Sequence, residues 1–461
     1  MAFHLFKTGA ATSTNRKIFR AAVIVAFFGV MAKLMGSAKE IVVAQWFGRS
    51  DGLDSFLIAF VVCSFTISLV VGALDSALVP VLVEVRQKEG TAGTQKLLSS
   101  MLLMIVMGLI GIALLLGLLA PYYLPWIAHG FSAQKLYLTR ELLYILLPFL
   151  FFSGVALFIT SALSGLERFG LPSAVPLVTP LVTVVFIILA AIHWGTFTLA
   201  FGAVTGSVAE AGILYYLLWR QGITLSLHWA GLGSAVREVL SGYAPLLAAA
   251  FLMGSTSVVD QAMAAMLPGG SVAALSYGNK LIGAIVAVGG TALNTAVLPY
   301  FSKMAAERDW QGCRHTLKRY IALTALATIP FTLLLIAFSK PLIHVLFQRG
   351  AFTGNDTAVV SWVQACYAIQ VPFYMWSMLF VRFLCAVRWN RIFPAIAAIN
   401  LTIDIVLNLV LMRIWGVAGI ALSTSIVNIV CCLMLAVVSM RFFARERSAA
   451  FTAMQAQQAG R

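Results

Sequence analysis

Long runs of apolar residues, separated by short charged or glycine- and proline-containing breaks, cover most of the chain. A helix needs about 20 apolar residues to cross the hydrocarbon core of a bilayer. The pattern therefore predicts an all-α polytopic membrane protein. Numbered in chain order, its twelve predicted spans are 21–46, 55–80, 97–120, 141–163, 173–194, 197–219, 240–266, 273–299, 318–338, 358–384, 392–412 and 417–440.

The composition agrees with this pattern and excludes several classes of protein. The 461 residues are 61% hydrophobic and only 10% charged, whereas an ordinary soluble domain is about 25% charged. A soluble enzyme, a disordered chain and a nucleic-acid-binding domain are excluded on this ground. The six cysteines form no CxxC pair and the histidines are scattered, so neither a metal site nor a disulfide framework is predicted.

The basic residues predict the orientation in the membrane. Of the 31 Lys and Arg, 21 fall in the N-terminal segment, the loops after even-numbered spans and the C-terminal tail, and 6 fall in the opposite loops. The positive-inside rule then places both termini in the cytoplasm. Although the basic N-terminus is similar to that of a signal peptide, we expect the first apolar run to be retained as span 1. The short loops leave no room for a soluble domain.

An internal repeat predicts two lobes. Residues 34–37 (LMGS) recur as 252–255, and residues 73–80 (ALDSALVP) match 292–299 (ALNTAVLP). Six spans per copy give both copies the same topology, so we expect lobes that enclose a central cavity and rock to give alternating access. An old duplication that serves only as scaffold is the alternative. The predicted segments are a cytoplasmic N-terminal segment (1–20), an N-lobe with spans 1–6 (21–219), a cytoplasmic inter-lobe loop (220–239), a C-lobe with spans 7–12 (240–440) and a cytoplasmic tail (441–461).

Charged residues inside the spans are candidates for a binding site, because a charge at the bilayer centre costs about 2.5–3.5 kcal/mol. Lys33, Ser37 and Glu40 share one face of span 1 at helical spacing, with Lys39 to one side. Span 8 of the opposite lobe carries Lys280. We expect these three lysines to converge on the cavity and to bind a polyanion such as a diphosphate. Further polar residues expected to line the cavity are Ser37, Glu40, Asp54 and Asn294.

Structural roles for the same residues stay open. Lysines near span ends can extend their ammonium groups to the lipid headgroups, as we expect for Arg382 in span 10. Lys39 can pair with Glu40 or Asp54 and have no contact with a ligand.

A second polar set predicts an ion site. Asn400, Asp404 and Asn408 recur at strict i, i+4 spacing in span 11, and Asp260 lies in span 7. Carboxylates in a membrane cavity can titrate or bind Na⁺. Interhelical hydrogen bonding without an ion is the alternative. No GxxxxGK[ST] motif occurs, so transport would be coupled to Na⁺, H⁺ or the membrane potential, and no other cofactor is predicted.

Several segments together resemble the MurJ (MviN) family of lipid II flippases. Residues 36–48 and 54–60 are similar to the opening of that family. Residues 346–353 (LFQRGAFT) with Asp356 are similar to its LFxxGxFT…D loop between spans 9 and 10. The resemblance covers about residues 20–440, and the segments 79–80, 168–172 and 298–302 also fit.

The resemblance implies a fold and a function. The family belongs to the two-lobed MOP exporters and flips undecaprenyl-diphosphate-linked saccharides to the outer leaflet of the bacterial inner membrane. It implies that cavity bases bind the diphosphate-sugar head group. It also implies a multi-pass protein that works as a monomer among membrane lipids, beside a glycan polymerase and without nucleic acid.

The chain departs from the family at several positions. Lys33 and Lys39 replace arginines of span 1, and Lys280 replaces an arginine of span 8. The basic residue of span 2 is missing, and the family's last two spans do not follow span 12. Lipid II and an exopolysaccharide precursor are therefore both candidate substrates.

Three other functions are alternatives to a flippase. A MOP-type cation-coupled antiporter of small molecules should have a carboxylate-rich and base-poor site, unlike span 1. A membrane-embedded glycan polymerase should present catalytic residues on a large external loop, and no catalytic residues are predicted here. The last alternative is a scaffold without transport. The sequence favours a transporter over an enzyme.

Overall fold

The computed structural model describes residues 9–168, 170–225, 231 and 233–459. The described residues form helices and contain no strand. The α-helices are α1 (Gly9–Phe47), α2 (Asp51–Ile67), α3 (Ala73–Ile127), α4 (Ala133–Gly165), α5 (Gly170–Ala174), α6 (Val178–Trp194), α7 (Phe197–Trp219), α8 (Ser234–Ala264), α9 (Ser271–Ala306), α10 (Trp310–Ala337), α11 (Ser339–Phe347), α12 (Gly354–Ala368), α13 (Gln370–Ala386), α14 (Phe393–Trp415) and α15 (Val417–Ala459). A π-helix (Ser68–Gly72) joins α2 to α3, and short 3₁₀ helices precede α6 and α14.

The helices confirm the prediction of an all-α polytopic membrane protein. Ten helical stretches in the described part of the chain are long and apolar enough to cross a membrane. One of them, Asp51–Ile127, is 77 residues long and contains predicted spans 2 and 3. It is interrupted at Gly90, whose φ of 65° ends one helical segment before the next begins. The count of twelve crossings and the cytoplasmic position of the termini stay predictions.

The chain divides into two compact units, Met1–Gly254 and Ser255–Arg461. The division falls within α8, after the predicted inter-lobe loop, because the first half of α8 packs in the first unit. The Tyr243 hydroxyl donates to the Val70 carbonyl at 2.8 Å, and the Phe251 ring lies 5.9 Å from that of Phe65. The predicted lobe boundaries stay a prediction.

The two units repeat the same backbone turn at an interval of 221 residues. In the first unit, the Arg168 N–H donates to the Leu163 carbonyl at 2.9 Å; in the second, the Trp389 N–H donates to the Leu384 carbonyl at the same distance. Each turn holds one non-glycine residue in the left-handed region, at φ 59° in both cases. These two residues are Glu167 and Arg388. The repeat seen in the sequence therefore extends to the backbone conformation.

The ends of α6 and α14 repeat at the same interval. Each helix ends with an exposed tryptophan, Trp194 or Trp415, followed by a glycine with positive φ, Gly195 or Gly416. Glycine after a helix adopts this conformation without a Cβ penalty. Tryptophan is enriched at the membrane–water interface, so in each unit the Trp–Gly sequence is typical of a helix that ends at an interface.

Two glycines bring α6 and α7 into close contact. A Cβ at Gly202 would lie 2.8 Å from the Thr183 Cα, and one at Gly206 would lie 2.7 Å from the Thr179 Cα. The spacing is that of a GxxxG contact, in which small residues let two helix backbones approach each other. Van der Waals packing, rather than a hydrophobic driving force, holds such helices together in lipid.

An ion-pair cluster joins the starts of α2 and α4. Lys135 Nζ lies 2.6 Å from Asp51 Oδ1, 2.8 Å from Asp54 Oδ2 and 4.0 Å from the centre of the Phe131 ring. The side chains of Lys135 and Asp54 are only 10% and 1% exposed. Asp51 and Asp54 lie in the first turn of α2, where the helix dipole favours negative charge.

We expect Gly206→Ala to destabilise the protein by about 1–3 kcal/mol, because the new Cβ must push the α6 backbone away. The measurement is the thermal unfolding of the purified protein in detergent. Gly212→Ala in the same helix is the matched control, since a Cβ there meets nothing within 4 Å. Alanine's higher helix propensity should leave that variant unchanged or slightly stabilised. Equal melting temperatures for the two variants would contradict a tight α6–α7 contact.

We expect Lys135→Met to cost about 3–5 kcal/mol, because it leaves the Asp54 carboxylate buried without its cation. The control is Lys88→Met, which removes an exposed pair with Glu84 and should cost under about 1 kcal/mol. Thermal unfolding of both variants tests this difference. A loss no larger than that of the control would show that Asp54 does not depend on Lys135.

Candidate functional site

The predicted polar face of α1 is present, and its two lysines differ in environment. Lys39 Nζ lies 3.1 Å from Glu40 Oε1, and the Glu40 side chain is buried. The Lys33 side chain is exposed, and its carbonyl accepts a hydrogen bond from the Ser37 hydroxyl at 3.0 Å. Lys39 is thus paired with Glu40, as one of the two interpretations expected, whereas Lys33 extends from the helix.

The polar face of α1 is open around Gly36, whereas Glu40 near its end is buried. Within the first unit, α1 contacts α5 and α6. A Cβ added at Gly36, which lies between Lys33 and Ser37 on the polar face, would meet nothing within 4 Å. Because lipid is a poor environment for an ammonium group, an open face with a lysine is suited to a hydrated cavity.

The remaining predicted head-group residues lie on other helices. Lys280 is half-buried in α9 of the second unit. Asn294 lies on the same helix, but its side chain is outside the described part of the structure. Asp54 belongs to the cluster with Lys135, which gives it a structural partner. The convergence of Lys33, Lys39 and Lys280 therefore stays a prediction.

In the second unit, three helices bring the predicted ion-site residues together. Asp260 of α8 accepts a hydrogen bond from Asn408 Nδ2 of α14 at 2.8 Å and one from the Thr424 hydroxyl of α15 at 3.1 Å. Asp404 is fully buried one turn before Asn408, and its carboxylate is a neighbour of that of Asp260. Ser423 Oγ lies 3.5 Å from Asp404 Oδ1.

Several side-chain oxygens at or next to this acid pair have no hydrogen-bond partner within the described residues. Asp404 Oδ2, Asn408 Oδ1 and Asn400 Oδ1 are buried and accept no hydrogen bond within the described residues. Two carboxylates in contact cannot both stay charged unless a proton or a cation lies between them. Carboxylate, amide and hydroxyl oxygens are ligands for hard cations, so the donor set fits Na⁺ as well as H⁺.

Sequence reasoning missed the contribution of α15. Thr424 completes the contacts of Asp260, and Ser423 supports Asp404. A signal was present, because Thr424 and Asn428 recur at i, i+4 in an otherwise apolar span. Asn428 donates to the Gln370 side chain at 2.9 Å and to the Thr424 carbonyl, so the polar stripe extends along α15.

The chain is similar in sequence to known flippases over most of its length. The family model described as lipid II flippase MurJ matches residues 43–457. The probable lipid II flippases MurJ of Synechocystis sp. and Vibrio cholerae are 24% and 25% identical to it, over 90% of this chain and 80% and 81% of theirs. The lipid II flippase MurJ of Burkholderia cenocepacia is 27% identical, over 76% of this chain and 70% of its own.

Solved structures share the fold. A lipid II flippase MurJ in an inward closed conformation superposes with a TM-score of 0.79 at 22% identity, covering 90% of this chain and 86% of that one. An inward-facing MATE transporter of the MOP superfamily superposes with a TM-score of 0.72 at 12% identity, covering 92% and 99%. The predicted MOP-like fold and the inner-membrane location are thereby confirmed. The chain belongs to the MurJ lipid II flippase family.

Proposed function

We propose that the protein is a flippase that moves a polyprenyl-diphosphate-linked saccharide, lipid II in the first place, from the inner to the outer leaflet. The open, lysine-bearing face of α1 is the observation that carries this proposal, because it offers a cation to an anionic ligand. Membership of the MurJ family supports the substrate class. The chemistry is transport, with no bond made or broken.

In this proposal Lys33, Lys39 and Lys280 bind the diphosphate. Lysine binds phosphate as a point charge, and Coulomb attraction is poorly screened in a low-dielectric cleft. Ser37, Glu40 and Asn294 are the polar residues proposed to contact the saccharide. Asp54 stays in its cluster with Lys135 and has a structural role.

The proposed cycle is alternating access. The head group enters the cleft from the cytoplasmic side while the polyprenyl tail stays in the bilayer. Neutralising the diphosphate lowers the cost of closing that side, because fewer unbalanced charges are then removed from water. The site next opens outward and the head group leaves.

We further propose that Asp260, Asn400, Asp404 and Asn408 bind the coupling ion, either Na⁺ or H⁺. The orphaned oxygens of Asp404, Asn408 and Asn400 support this assignment over simple hydrogen bonding between helices. A bound cation would relieve the repulsion of the two carboxylates and stabilise the contact of α8 with α14 and α15. The membrane potential would act on this bound cation when it moves during the cycle.

One observation favours a second candidate, a cation-coupled antiporter of small molecules. The buried acid pair has the carboxylate character that such a transporter needs, and MATE transporters share the fold. Its ligand site would not require the lysine face of α1. An exopolysaccharide precursor is the alternative substrate of the flippase, which we propose to act as a monomer beside a glycan polymerase.

We expect Lys33→Ala combined with Lys280→Ala to abolish transport, because the diphosphate would lose two of its three cations. The measurement is lipid II exposed on the outer leaflet of cells depleted of their own flippase. Lys340→Ala, an exposed lysine of α11, is the control and should leave exposure unchanged. Arginine at both positions should restore transport. Full activity of the double alanine variant at normal membrane levels would contradict the head-group assignment and favour the antiporter.

We expect Asp260→Asn to remove the ion response, because it deletes one carboxylate and keeps the side-chain shape. Thermal unfolding of the wild type in detergent should shift upward when choline chloride is replaced by NaCl, or on a pH change if the ion is H⁺. The variant should show neither shift. Asp75→Asn, an exposed carboxylate of α3, is the matched control and should keep the wild-type response. An unchanged ion response in Asp260→Asn would rule out the site.

A further inference from the structure

A cavity of about 570 Å³ lies in the second unit where the ends of α9 and α13 meet the start of α10. We call it the corner cavity. Trp310 begins one predicted membrane crossing and Ala386 ends another, so the cavity lies at the level of the lipid headgroups. Its lining includes Ser302, Ala305, Trp310, Ala386, Val387 and Arg388.

The first unit has the corresponding corner, and there an arginine side chain bridges the two helices. Arg86 Nη1 donates to the Leu166 carbonyl at 3.0 Å, at the end of α4. Leu166 corresponds to Val387 at the interval of 221 residues that relates the two turns. The guanidinium of Arg86 thus bridges from α3 to the end of α4.

The register of α3 against α9 identifies the residue that replaces Arg86. An i, i+4 ion pair joins Glu84 to Lys88 in α3, and Lys303 is paired with Glu307 in the same way at the end of α9. The two pairs are 219 residues apart, the interval of the sequence repeat at 73–80. Arg86 therefore corresponds to Ala305.

Two replacements distinguish the corner of the second unit. Ala305 stands where the first unit has Arg86, so the side chain at this position is too short to bridge from α9 to the end of α13. At the turn, Arg388 stands where the first unit has Glu167. The corner that an arginine bridges in the first unit is thus an open cavity with a cation on its rim in the second.

The surroundings of the corner cavity are also basic. Arg382 lies one turn before Cys385, which lines the cavity, and its buried Nε donates to no partner within the described residues. Other bases at this end of the second unit are Lys303, Arg308 and Arg391, which outnumber the two acids there, Glu307 and Asp309. Ser302 and Trp310 add a hydroxyl and an indole, both of which can donate to an anion.

We propose that the corner cavity binds the phosphate group of an anionic membrane lipid, with Arg388 as its main cation. Arginine pairs with phosphate through two parallel N–H···O bonds, and basic pockets between helices at the cytoplasmic side bind lipid headgroups. The apolar wall of Ala305, Ala386 and Val387 accommodates the glycerol portion. This proposal is independent of the proposed transport function, because none of its residues belongs to the head-group or ion sites.

The test is the number and affinity of phosphatidylglycerol molecules retained by the full chain in native mass spectrometry, without any polyprenyl-linked lipid. Arg388→Glu gives the turn the charge it has in the first unit, and Ala305→Arg places an arginine in the cavity where Arg86 bridges the other corner. We expect each to weaken binding of one phosphatidylglycerol by about tenfold. Ala305→Leu fills the cavity without a charge and should also weaken binding.

Arg391→Glu is the matched control, because it makes the same charge change three residues further on, in the 3₁₀ helix before α14, but does not line the cavity. It should leave that binding event intact, as should Arg86→Ala, which opens the first unit's corner beside Glu167. An equal loss in Arg388→Glu and Arg391→Glu would overturn the proposal in favour of diffuse attraction to the basic surface. Unchanged binding in Arg388→Glu and Ala305→Leu would also overturn it.

A second arm distinguishes the source of the phosphate. Glycerol 1-phosphate is added to the protein in neutral detergent, and its binding is measured for the wild type and Arg388→Glu. Binding only of phosphatidylglycerol supports the lipid source. Tight, Arg388-dependent binding of glycerol 1-phosphate with no preference for the lipid would assign the cavity to a soluble phosphate and overturn the lipid proposal.

Discussion

Hydrocarbon offers no partner to a charged or polar side chain, and this constraint accounts for most of the arrangement seen here. Each such group inside the spans needs a protein partner, water or a ligand. Asp54 forms an ion pair with Lys135, and Glu40 forms one with Lys39. Asp260 accepts hydrogen bonds from Asn408 and Thr424. The groups left over, Lys33 on an open face and the oxygens of the acid pair, are the candidates for binding something that the protein itself does not supply.

The lysine face and the acid pair lie in different units. The first unit carries the paired and exposed lysines of α1, suited to an anion. The second carries the acid pair on α8, α14 and α15, suited to a cation. In the proposed flippase, the first kind of site binds the anionic head group and the second binds the coupling ion. A duplicated fold provides two copies of one framework that can diverge separately. The corner cavity shows the same divergence, since one copy keeps an arginine where the other has alanine.

Much of the fold could be predicted from the sequence, because the hydropathy pattern reports directly on burial in lipid. The sequence also grouped Asp404 and Asn408, at i, i+4 spacing, with Asp260, because polar residues are conspicuous in an apolar span. The contribution of Thr424 was not recognised, although Asn428 follows it at i, i+4, because two neutral polar residues in a span do not by themselves indicate contact with a carboxylate of another helix. The partner of Asp54 lies 81 residues away in the chain, and only packing reveals it. The lobe boundary that the sequence pattern puts in the loop 220–239 stays a prediction, and only side-chain contacts reveal that the first half of α8 packs in the first unit.

The π-helical segment Ser68–Gly72 changes which side chains can point the same way. In an unbroken α-helix, Ser64 and Asp75 would share a side, because eleven residues make just over three full turns. A π-turn takes up one extra residue, and that residue rotates everything after it by roughly 100°. Asp75 is accordingly exposed while Ser64 is half-buried. A helical wheel drawn through residues 55–80 would therefore assign the second half of that stretch to the wrong azimuth.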